Sequence, residues 1–189
     1  GNIEVASQPG KGSLFWFELD LPVALVKRTF QPTQKITGYQ GPRKKLLVVD
    51  DVPQNRVLLI DALHPLGFDV VDAENGQECL DLLDAVNPDL IVMDVMMPVM
   101  DGREATRQIR KRPRFAKIPI IASSASATHE DETRCYEAGA DVFVPKPIDN
   151  DALLKIIGER LSLTWMTTME PAPDAPATGA NAAQDAEPV

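Results

Sequence analysis

Histidine and cysteine are scarce in this chain, with two of each in 189 residues. Cys79 and Cys135 lie far apart, each inside a helical pattern, with no CxxC and no histidine at metal spacing. That excludes a zinc centre and a dithiol redox motif, and leaves small buried hydrophobes or idle surface thiols in a reduced compartment. Long apolar runs are also missing: none approaches the ~20 residues of a membrane helix, and no secretory segment is present. The expected location is therefore cytoplasmic. The chain begins at Gly1 rather than Met, so it is read as a piece of a longer parent, and a membrane anchor elsewhere in that parent stays open. Basic charge is the third deficit. The net charge is −9, and residues 46–165 hold twelve Lys/Arg against twenty-one Asp/Glu. Such an acidic core argues against direct nucleic-acid binding, which needs a basic footprint. The one basic cluster, Arg107, Arg110, Lys111, Arg112, Arg114 and Lys117, reads as a solvated helix end.

The stretch that organises the chain is 90–102, LIVMDVMMPVMDG. Leu90, Ile91, Val92 and Met93 run without alternation, as in a strand buried on both faces of a parallel sheet. The run ends on Asp94. A buried strand tolerates an ionised side chain poorly unless it is paired, metal-bound or at the open end, so Asp94 is placed at the carboxyl edge, where doubly wound sheets hold ligands. Pro98 stops the ladder, and Asp101-Gly102 opens a helix.

The same unit repeats along the chain. Strands are expected over 46–49, 68–73, 90–94, 118–123 and 141–144. Helices are expected from Pro53, over 77–86, from Gly102, over 125–138 and over 149–163. Five strands alternating with five helices imply right-handed crossovers and an α/β fold, a doubly wound five-stranded parallel sheet. Before it, 1–22 carries a hairpin signal around Gln8-Pro9-Gly10-Lys11-Gly12-Ser13, and 23–45 reads as a linker. After Trp165 the chain turns to Pro, Ala, Asp, Gln and Thr, so 166–189 is expected to be a disordered tail or linker.

On that scaffold Asp50 and Asp51 end strand one, Asp94 ends strand three, Ser123 and Ser124 end strand four, and Lys146 follows strand five. All fall at one sheet edge. Three carboxylates in contact repel one another unless a cation intervenes, and a donor set of oxygens alone suits Mg²⁺. Lys146 adds a mobile cation and Ser124 a hydroxyl, which with the metal would neutralise phosphoryl oxygens around Asp94.

The motifs LLVVDD, LIVMDVMMPVMDG, IPIIASSA and GADVFVPKP together resemble the receiver domain of two-component response regulators, from Leu46 to about Leu163. The resemblance implies the flavodoxin-like order 2-1-3-4-5, with 46–165 as the receiver domain. It implies Asp94 as phosphoacceptor, Asp51 as a direct Mg²⁺ ligand, Asp50 as a ligand mostly through water, and the backbone carbonyl of Met96 as a third protein ligand. Ser124 matches the switch Ser/Thr, Phe143 the switch aromatic, and Lys146 the phosphate-binding Lys with a cis bond to Pro147. Ser123 is left without a role, and Phe143 stands where a Tyr is common. The implied partner is a histidine kinase dimerisation domain or a His-containing phosphotransfer domain; neither His64 nor His129 sits in a motif for the phosphorylated histidine.

The first 22 residues, with a GxGS turn and the strand Phe15-Trp16-Phe17, resemble the last hairpin of the ATP-binding domain of histidine kinases. Hairpin, linker and receiver in that order point to a hybrid sensor histidine kinase. Two rivals compete. An Asp-nucleophile phosphatase of the haloacid-dehalogenase type needs DxDxT, which neither Asp94 nor Asp51 begins. A degenerate receiver used only for docking usually lacks an acidic residue or the Lys, and all are here.

Overall fold

The computed structural model describes residues 3–18, 34–126 and 128–169. They fall into two units, one holding the amino-terminal segment and the other, from Thr33 to Pro171, holding the sheet. In the first, β1 (Ile3–Gln8) pairs antiparallel with β2 (Gly12–Phe17), and the Lys11 amide closes the turn on the Gln8 carbonyl at 3.0 Å. Ile3 and Val5 lie across from Phe17 and Phe15, and all four are exposed.

The second unit begins with β3 (Gln34–Gln40) and continues through β4 (Lys45–Val49), α1 (Pro53–Leu63), a 3-10 turn (His64–Leu66) and β5 (Asp69–Ala73). There follow α2 (Gly76–Val86), β6 (Leu90–Asp94), α3 (Gly102–Lys111), β7 (Ile120–Ser124) and α4 (His129–Ala138). β8 (Val142–Pro145), α5 (Asn150–Leu161) and β9 (Thr164–Met169) complete it. The parallel sheet has the order β5-β4-β6-β7-β8, the flavodoxin-like receiver topology. Successive strand residues point to opposite faces. Leu47, Val49, Ile91, Met93 and Ile120 thus meet Leu80 and Leu83 of α2 and Ala105 and Ile109 of α3. Leu46, Val48, Leu90, Val92 and Ile121 meet Leu59 and Leu63 of α1 and Leu153 and Ile157 of α5. A smaller cluster, Val95, Ala122 and Cys135 with Phe143 against it, seats α4.

Three expectations need correction. The linker expected over 23–45 contains β3, which pairs antiparallel with β9, so the tail expected from 166 begins as a strand. Tyr39, buried in the core, anchors this ribbon: its hydroxyl donates to Gly67 O at 3.2 Å and accepts from the Lys44 amide at 2.7 Å. The fourth strand is shifted, running to Ser124, and α4 starts at His129 rather than 125, because the Thr128 side chain takes the Asp131 amide and fixes the cap there. α5 stops at Leu161, where Ser162 is left-handed at φ 53° and the Leu163 amide returns to Gly158 O at 2.8 Å. Residues 1–2 and 19–22 of the hairpin segment, the remaining linker residues 23–33 and the tail residues 170–189 lie outside the described residues.

Cys79 and Cys135 are both buried and free, and burial pushes the Cys79 thiol up to about 12, so both are packing residues. The basic cluster is largely tied down. Arg107 meets Glu104, Arg110 holds Gly139 O, Ile118 O and Asp141, Arg112 caps Leu80 O, and Arg114 reaches Asn87. Among the described residues no helix is long and apolar enough to cross a membrane.

Candidate functional site

The carboxyl ends of β4, β6, β7 and β8 meet at one edge of the sheet. Asp50 follows β4 with its amide on Ala73 O at 3.1 Å, which fixes the main chain as the strand ends. Asp94 closes β6, and the next residue donates from the Val95 amide to Ser123 O at 2.9 Å. The close packing behind Asp94 depends on Gly102: a Cβ there would lie 2.0 Å from the Asp94 carbonyl oxygen and 2.8 Å from Met93 Cγ. Lys146 is aimed by its own amide on Ser124 O at 2.8 Å, and the Lys146–Pro147 bond is cis as expected.

These elements bring one carboxylate oxygen each of Asp50, Asp51 and Asp94 within 4.8 Å of one another. Asp50 and Asp94 are buried at 3% and 5% exposure, and Asp51 is the least buried of the three. The Lys146 ammonium bridges Asp50 Oδ2 and Asp94 Oδ2, both at 2.7 Å. The other Asp94 oxygen accepts from the Met96 amide at 3.3 Å. Burial pushes the Asp94 carboxyl above its ordinary value; the hydrogen bond and charge of Lys146 pull the other way, and Asp50 adds to the rise. For Lys146 burial works against the ammonium, but the hydrogen bonds and charges of Asp50 and Asp94 outweigh it and hold the amine above the ordinary lysine value.

Ser124 is buried at the end of β7, where its Oγ accepts from the Ser126 amide at 3.2 Å. Ser123 is buried beside it. Phe143 is half-buried against the cluster that seats α4. Met96 lies two residues past Asp94 in the loop to α3. Every residue expected at the edge is therefore there.

This edge and fold find a direct counterpart in sequence: the response regulator receiver domain family matches residues 46–158. The chain belongs to that family. Over 136 residues it is 37% identical to the sensor histidine kinase RcsC of Salmonella typhi, covering 70% of this chain but 14% of the kinase. It is 32% identical to the polar-differentiation response regulator DivK of Brucella anthropi, covering 60% of this chain and 93% of that protein. Among solved structures it resembles the receiver domain of a sensor histidine kinase from Pseudomonas aeruginosa, with a magnesium ion coordinated in its active-site cleft. That likeness has 30% identity and a TM-score of 0.60, over 64% of this chain and 99% of that one. The chain thus spans about one seventh of the sensor kinase it matches, and nearly all of DivK.

Two residues of the receiver domain that hold the site were not singled out from sequence. Asn55, in the first turn of α1, donates from Nδ2 to both Asp50 oxygens, at 3.0 and 3.1 Å. Arg56 donates from Nη1 to the Asp50 carbonyl at 2.7 Å while its Nε holds Asp72 at 2.8 Å. The available signal was a polar pair one turn after the acidic pair, on a helix whose start Pro53 fixes.

Proposed function

We propose that Asp94 is the phosphoacceptor of a two-component phosphorelay. The observation that carries this is the buried Asp94 carboxylate held at 2.7 Å by Lys146, beside the acidic residues Asp50 and Asp51. An Asp94 oxygen forms a bond to the phosphorus of a phosphohistidine as the N–P bond breaks; the electron pair leaves with the imidazole nitrogen, which is then protonated by solvent. Burial keeps bulk water from the acyl phosphate that forms. Lys146 donates to a phosphoryl oxygen in place of the Asp94 oxygen it now holds.

The all-oxygen donor set of Asp50, Asp51 and Asp94, with the Met96 carbonyl, suits Mg²⁺. When bound, that ion would offset charge on the phosphoryl oxygens. Asp51, the most open of the three, would be the direct ligand, while Asp50, its oxygens already engaged by Val52, Asn55 and Lys146, would be reached mostly through water. Ser124 turning its hydroxyl toward the phosphoryl group gives up its contact with the Ser126 amide, and Phe143 moves into the space released, biasing the surface of α4, β8 and α5.

The donor is a histidine kinase dimerisation domain or a His-containing phosphotransfer domain. The likeness to sensor kinases and the hairpin of β1 and β2 support a hybrid sensor histidine kinase as the parent, with 1–22 as the end of its ATP-binding domain, 46–165 as the receiver and the cytoplasm as its place. The test is phosphorylation with acetyl phosphate and Mg²⁺, read by intact-mass spectrometry. The native chain should gain one phosphoryl group and Asp94→Asn none. Incorporation by that variant to the native level would overturn the assignment.

A further inference from the structure

Asp50 is the most heavily bonded acid at the site. Its Oδ1 accepts from the Val52 amide at 2.9 Å and from Asn55 Nδ2 at 3.0 Å; its Oδ2 accepts from Asn55 Nδ2 at 3.1 Å and from Lys146 at 2.7 Å. The Val52 amide belongs to a helix start that has no side-chain cap of its own, so Asp50 serves as the cap of α1. Its main chain is held separately by Arg56 and by Ala73 O. The carboxylate is therefore held from the α1 side by two neutral donors, the Val52 backbone amide on Oδ1 and the Asn55 side-chain amide, which alone of the two reaches both oxygens.

We infer that Asn55 is a positioning residue for metal binding: it fixes the orientation of the Asp50 carboxylate, which holds Lys146 and has an oxygen gathered with those of Asp51 and Asp94. The inference rests on the reading that these acids hold Mg²⁺. The residue type matters for a physical reason. An amide donates hydrogen bonds without cancelling the negative charge of Asp50, whereas a Lys or Arg in its place would compete with the cation. A shorter side chain would leave Oδ1 to the Val52 amide alone and Oδ2 to Lys146 alone at 2.7 Å, and the carboxylate would turn toward the ammonium and away from a divalent ion. Arg56 and Asn55 divide the work: consecutive residues hold the carbonyl and the carboxylate of the same aspartate.

The test compares Mg²⁺ titrations by calorimetry on the native chain, Asn55→Ala and Leu63→Ala. Leu63 is buried on the same helix and faces the core, so its truncation lowers stability without touching Asp50. Loss of a partner that orients a metal ligand typically weakens affinity about 10–100-fold, and roughly tenfold is expected for Asn55→Ala, with Leu63→Ala within about twofold of native. Asn55→Ala within about twofold of native, or Leu63→Ala weakened as much as Asn55→Ala, overturns the inference. A native chain that binds no Mg²⁺ overturns instead the metal reading beneath it.

Discussion

At Asp94 two demands oppose each other, since the proposed phosphoacceptor is buried beside other acids and in that role would have to stay nucleophilic. Burial and Asp50 raise its proton affinity and Lys146 restrains the rise. A carboxyl raised in the folded state binds more protons there than in the unfolded chain. Stability therefore falls as pH climbs from the ordinary Asp value through the raised one, and the penalty is complete above that window. At neutral pH without divalent metal, Asp94→Asn should melt higher than the native chain. That advantage should vanish as the pH is lowered to the ordinary carboxylate range. Paired thermal melts across pH check this, and a variant less stable at pH 7 would contradict the account. Lys146, also raised, has the same sign in a higher window: its contribution is present throughout the neutral range and is lost only as pH climbs above the ordinary lysine value.

Among the elements, the loop from β6 to α3 is held at both ends. Gly102 is the first residue of α3, behind its cap Asp101, whose side chain takes the Glu104 amide at 2.8 Å, and the Gly102 amide returns to Val95 O at 3.0 Å. The helix start is thus packed against the backbone that carries Asp94. Gly102→Ala drives a methyl into that backbone, where no flexible side chain can yield. Overpacking of this kind costs about 1–3 kcal/mol or more, and here the displaced atoms belong to the proposed phosphoacceptor. Chemical denaturation should show the loss of stability, and acetyl phosphate labelling should slow. A variant with native stability would show that the loop relaxes freely.

For the whole second unit the ribbon of β3 and β9 is the unexpected part. It brings Tyr39 within 4.6 Å of the Phe68 ring centroid, and sets Trp165 edge-on to both at 6.2 Å. Residues on either side of the receiver domain are thereby joined across more than a hundred residues of sequence. Removing a buried aromatic costs about 3–5 kcal/mol, so Tyr39→Ala should lower the denaturation midpoint of the receiver domain itself. With Trp16→Phe as background, Trp165 is the sole indole reporter and its emission should shift to the red. An unchanged midpoint and spectrum would mean that the ribbon is an ornament on an independent domain.

The amino-acid sequence by itself determined the alternation of five strands and five helices, the all-apolar run that ends on Asp94, and the acids, Ser124 and Lys146 at the sheet edge. Each of those is a local pattern, either a period of side chains or a polar residue closing an apolar run. Pairing of β3 with β9 is not local. Lys35-Ile36-Thr37-Gly38 and Thr167-Thr168 are weakly patterned, the register slips between Ile36 and Gly38, and the ribbon is seated further along by Tyr39 and Trp165 against Phe68. The role of Asn55 was hidden for the same reason. A polar residue in a first helical turn looks like solvent-facing surface until the fold turns it onto the carboxylate that ends the preceding strand. The tertiary structure also decided the start of α4, where one hydrogen bond to Thr128 outweighed an Ala- and Ser-rich run that reads as helix.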